Sequence, residues 1–141
     1  MQRKFLLLAC ALVVAAPVVR ADLPAAQTEG AVSWVSGGIG EGAAADFKAA
    51  QSQYALSIEM SRRALPKNEY VSDAEVKIVD AKGAAVLQTK ADGPFMLVKL
   101  PPGSYRVEAT LDGKTAKSGV LKVGSKGAVH ASLVFPEGTG G

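Results

Sequence analysis

Polar and apolar positions alternate through most of the chain after residue 53, and turn residues cut the alternation at short intervals. Residues 54–61 alternate cleanly, with Tyr54, Leu56, Ile58 and Met60 on one side and Ala55, Ser57, Glu59 and Ser61 on the other. Residues 70–80 carry Ala74, Val76 and Ile78 on one face, and residues 84–91 form a weaker strand. Residues 95–100 follow. The clearest strand is 104–111, where Tyr105, Val107, Ala109 and Leu111 point inward and Ser104, Arg106, Glu108 and Thr110 outward. Residues 114–123 and 127–135 complete the series, and residues 32–36 give a short earlier strand.

The period changes once. Residues 41–53 are rich in alanine, and Phe47, Ala50 and Tyr54 recur every three or four positions, which predicts a short helix. Glu41 and Asp46 lie toward its positive N-terminal end. The breaks between strands are chemically specific. Asp92-Gly93-Pro94 and Pro101-Pro102-Gly103 combine a glycine that tolerates positive φ with proline that cannot join a ladder, and Asp112-Gly113 is a hairpin signal. About seven short strands at regular spacing predict a mainly β fold, an antiparallel β-sandwich with one short N-terminal helix.

The N-terminal region reads differently. Residues 1–21 have a basic start (Arg3, Lys4), an apolar run and small side chains at Val19 and Ala21, the pattern of an export signal cut after Ala21. The apolar run of about 15 residues is shorter than the roughly 18 to 20 needed to span a bilayer, so no transmembrane segment is expected after cleavage. Leu7-Leu8-Ala9-Cys10 has the form of a lipoprotein motif, but only five apolar residues, Phe5 to Ala9, precede that cut and a mostly apolar stretch follows it. Lipidation at Cys10 is therefore not expected. Residues 22–31 read as a linker, 32–136 as one domain and 137–141 as a flexible tail.

Cleavage after Ala21 alters both chemistry and charge. The single cysteine leaves with the signal, and with it any disulfide, thiol nucleophile or thiolate ligand. Loss of Arg3, Lys4 and Arg20 reduces sixteen basic residues to thirteen, against thirteen acidic ones. The precursor's charge of +3 thus gives no support to nucleic-acid binding.

Residues 76–83, Asp92-Gly93-Pro94-Phe95 and Leu100-Pro101-Pro102-Gly103-Ser104-Tyr105-Arg106-Val107 together resemble carboxypeptidase regulatory-like domains. The resemblance covers roughly residues 70–135 and implies a transthyretin-like, or prealbumin-like, sandwich. Ser36-Gly37-Gly38-Ile39-Gly40-Glu41, followed by a helix and Tyr54-Ala55-Leu56, is similar to small exported proteins of Gram-negative bacteria that place this segment before the same sandwich. It implies a fold and a periplasmic or secreted location, without an activity.

Candidate chemistry is sparse. His130 is the only histidine, placed by alternation on the outer face with Ser132. One histidine without cysteine partners makes no zinc site, and no nucleophile-elbow motif supports a serine triad. No metal or other cofactor is therefore expected, and no catalytic residue. Arg62, Arg63 and Lys67 gather in one loop that could meet an anionic surface, diluted by Glu59 and Glu69. Trp34 and Tyr70 are the aromatic side chains available to a glycan surface, although Trp34 could equally cap the core. Gly37 to Gly40 could present backbone N–H groups to an anion, but they lack the residues of a P-loop or dinucleotide fingerprint. The sequence thus favours a non-enzymatic exported module acting in the envelope through protein interaction or as a structural accessory. Binding of a glycan or small ligand is the alternative.

Overall fold

The computed structural model describes residues 23–140. The expected export signal and the Cys10 motif lie outside them. In chain order the elements are β1 (Gln27–Glu29), β2 (Val32–Gly37), α1 (Glu41–Ala50), β3 (Leu56–Arg62), β4 (Glu69–Tyr70), β5 (Glu75–Asp80), β6 (Ala85–Lys90), β7 (Phe95–Lys99), β8 (Gly103–Leu111), β9 (Lys114–Lys117), β10 (Leu121–Val123) and β11 (Val129–Phe135). A single 3-10 turn, Gln51–Gln53, extends α1.

Two sheets face each other. The first runs β1-β2-β7-β3-β11, with β4 paired to β3, and the second runs β10-β8-β5-β6, with β9 paired to β8. The result is mainly β, sandwich-like, with one short helix. Strands exceed the expected number because β1 and β4 are too short to show a period. The expected strand 114–123 also divides in two at Ser118. There the Ser118 hydroxyl accepts the Val107 N–H at 2.9 Å, interrupting the ladder along β8. The arrangement is not wholly antiparallel either. β11 runs parallel to β3, with His130 opposite Ser57 and Ser132 opposite Glu59. Local alternation cannot reveal this, because it sets which face a side chain takes and leaves strand direction open.

The inter-sheet core holds Leu56, Ile58 and Met60 of β3, Val76 and Ile78 of β5, Val107 and Ala109 of β8, and Ala131, Leu133 and Phe135 of β11. β7 is buried on both sides. Met96 and Val98 enter this core, while Phe95 and Leu97 join Val35, Phe47 and Ala50 in a second cluster beneath α1. The helix therefore forms a third layer over part of the first sheet. Its amphipathic face supplies Phe47 and Ala50, with Tyr54 half-buried beside them.

Two expected boundary segments are ordered. The expected linker 22–31 contains β1, which pairs with β2 through Thr28 opposite Ser33. The expected flexible tail is also held down. Thr139 is 1% exposed, its carbonyl accepts Arg62 Nη1 at 2.9 Å, and Gly140 N–H donates to Asp112 Oδ2 at 2.7 Å. These ties need partners far along the chain, which composition does not show.

Candidate functional site

A groove of about 420 Å³ opens beside α1, lined by Gly38, Gly40, Glu41, Ala44, Ala45, Lys48 and Tyr70. One wall is a helical flank, since Glu41, Ala44, Ala45 and Lys48 fall at intervals of three, four and seven. The other is the glycine-rich turn and the ring of Tyr70. The turn is fixed by packing. Gly38 has φ +94°, and any side chain there would collide with the Phe95 ring. The Tyr70 ring meets Phe95 edge-on at 5.1 Å between centroids. Lys48 Nζ lies 5.8 Å from the Tyr70 centroid and 5.9 Å from that of Phe95. Tyr70 first, and Glu59 more weakly, raise the Lys48 pKa, with desolvation acting in the opposite direction.

His130 is exposed on the outer face of β11, where alternation places it, but it has partners there. Ser57 Oγ lies 2.7 Å from its Nδ1, and Glu59 Oε2 lies 3.5 Å from its Nε2. The tautomer decides which partner donates in the Ser57 contact, and Glu59 makes a close approach to Nε2 without the geometry of a hydrogen bond. The series resembles a nucleophile relay in its residue types. Yet Ser57 is 2% exposed, and an Oγ so enclosed is not presented to a substrate. Its burial departs from the solvated position expected on β3, because His130 and the covered outer face around Leu97 enclose it.

The remaining expected site residues converge only in part. Trp34 is buried between the sheets at 6% exposure, which removes it as a glycan platform, and its Nε1–H has no acceptor among the described residues. The basic cluster divides. Arg62 turns inward to Thr139 and forms a 3.4 Å ion pair with Glu69, whereas Arg63 and Lys67 are exposed in the loop beyond β3. Of these residues Tyr70 borders the groove beside α1, and Arg62 and Tyr70 together line a second, polar hollow with Asp73 and Asp112. Sequence reading passed over Lys48 and Ser57. The 41, 44, 45, 48 spacing of the groove wall was visible, but it lies off the apolar face that predicts the helix.

β6 ends the second sheet, and among the described residues no strand pairs with its far side. From Ala85 to Thr89 it bears no charge and no proline. Lys90, at its end, is 3.9 Å from Asp73. Ala91 N–H donates to Ala74 O at 2.9 Å toward β5. Alternation back along the strand turns the N–H of Thr89 inward and that of Gln88 outward.

Among the described residues no group of three or more His, Cys, Asp or Glu could hold a metal ion. No described helix is long and apolar enough to cross a membrane. No family model matches the chain, and no curated protein matches it. The solved structure described as "Crystal Structure of S.CueP" is similar at 18% identity and a TM-score of 0.43, over 57% of this chain and 61% of that one. The match thus spans less than two thirds of that structure's length.

Proposed function

We propose that this protein is an exported, non-catalytic β-sandwich module of the cell envelope that binds a protein partner by strand addition at β6. The observation that carries the reading is the uncharged edge from Ala85 to Thr89, unpaired on its far side among the described residues. Natural sheets blunt such edges with charge, proline or a covering segment, and an edge left open is suited to receiving an extended strand. The enclosed Ser57 hydroxyl supports the non-catalytic part, and the signal-like residues 1–21 support export. The Pro101-Pro102-Gly103-Ser104-Tyr105 turn, in which the Tyr105 hydroxyl donates to Pro101 O at 2.7 Å, supports kinship with prealbumin-like, carboxypeptidase regulatory-like domains.

The experiment is site-specific photo-crosslinking in exporting cells, with the reactive side chain at Gln88 of β6 and, in a control, at Ser132 of β11. A discrete adduct from position 88 that is missing from position 132 supports the reading. Equal, diffuse labelling from both positions contradicts it.

A further inference from the structure

We propose that the groove beside α1 binds a short extended peptide carrying a positive charge and a carboxylate at the two ends of a three-residue stretch, with a small or apolar residue between them. The site is separate from the β6 edge and does not depend on it.

The charges of the groove are arranged along its length. Glu41 and Lys48 lie seven residues apart on one flank of α1, which at 1.5 Å per residue separates them by about 10 Å along the helix axis. Between them the wall is Ala44 and Ala45, with no polar side chain. Three residues of extended chain span about 10 Å as well. A peptide laid along the groove would therefore set its cation beside Glu41, its carboxylate beside Lys48 and its middle residue over the alanines.

The opposite wall suits a backbone. Gly38 and Gly40 present no side chains, so a ligand main chain can approach their peptide groups closely. Lys48 is already positioned by its contacts with Tyr70 and Phe95, which lowers the cost of holding it against a carboxylate. Other ligand classes fit less well. A sugar needs an open aromatic face, and Lys48 lies over the ring of Tyr70. A simple anion would gain from Lys48 but leave Glu41 and the apolar wall without a role. The volume of about 420 Å³ lies within the ordinary range for small-ligand sites, roughly 300 to 1,000 Å³.

The test is amide NMR titration of the isotopically labelled protein with three probes: free Ala-Leu-Ala, acetyl-Ala-Leu-Ala-amide and acetyl-Lys-Leu-Glu-amide. Both charged peptides should shift the resonances of Gly38, Gly40, Ala44 and Ala45. The neutral blocked peptide should bind more weakly, by about two- to five-fold for each charge removed, as expected for exposed ion pairs. Lys48→Gln and Glu41→Gln should each reduce the charged peptides to the intermediate level, with spectra that otherwise show an intact fold. Stronger binding of free Ala-Leu-Ala would assign the site to peptide termini, and stronger binding of the Lys-Leu-Glu peptide to an internal segment of a protein. Either result supports the proposal. Equal binding of all three probes, or no shift in the groove at millimolar peptide, overturns it.

Discussion

Ser57 Oγ lies 2.7 Å from His130 Nδ1, joining the only histidine of the chain to a buried hydroxyl across the single parallel pairing of the first sheet. Parallel pairing aligns the two positions, because His130 stands directly opposite Ser57. Glu59, two residues along β3 on the same face, then reaches Nε2. The contact fastens an edge strand to the sheet.

His130→Ala should therefore destabilise the fold by about 0.5–1.5 kcal/mol, the net worth of one hydrogen bond, since water can reach the Ser57 hydroxyl once the ring that covers it is gone. Urea unfolding of His130→Ala, Ser57→Ala and the double variant provides the check. The double variant should lose less than the sum of the single losses, because the two residues share one interaction. Strict additivity would show that the pair is not coupled.

Gly38→Ala should cost about 1–3 kcal/mol, through a positive φ and the collision of the new methyl group with Phe95. The damage should be local at first. Hydrogen exchange should quicken in α1 and at Phe95, while the β5–β8 pairing keeps its protection. Gly83→Ala, also at positive φ but with open space around it, should be milder.

Tyr105→Phe removes the hydrogen bond to Pro101 and should cost about 1 kcal/mol at neutral pH. Burial raises the Tyr105 pKa above its ordinary 10.0, and Asp80 adds to the rise. The folded protein therefore holds this proton more tightly than the unfolded chain does. Its contribution is complete below about pH 10 and declines as pH rises through the folded pKa. Denaturant midpoints measured from pH 8 upward should fall more steeply for wild type than for Tyr105→Phe.

Arg62→Ala should release the C-terminal residues, since Arg62 joins β3 to Thr139 and Glu69. Faster carboxypeptidase trimming, with little change in the unfolding midpoint, is the expected outcome.

Much of the layering was legible because burial imposes a period. The alternation in β3 and β8 and the three-to-four spacing of Phe47 and Ala50 each set a face, and those faces pack as expected. Strand direction and edge position impose no period. The parallel seating of β11 and the exposure of β6 were accordingly unreadable. The same limit governs the candidate sites. Arg62 and Arg63 are adjacent and chemically alike, yet a contact with Thr139, 77 residues away, draws one inward and leaves the other in solvent. Trp34 was ambiguous for a related reason, since β2 borders a core on each face and both Trp34 and Val35 are buried.

The most direct test of the proposed docking role is capture of the tagged protein from exporting cells by chemical crosslinking, with wild type and Gln88→Pro side by side. The substitution removes an outward N–H and leaves the inward ladder of β6 in place. An envelope protein recovered with wild type and lost with a folded Gln88→Pro variant is the expected result. The same protein recovered equally with both would contradict docking at β6.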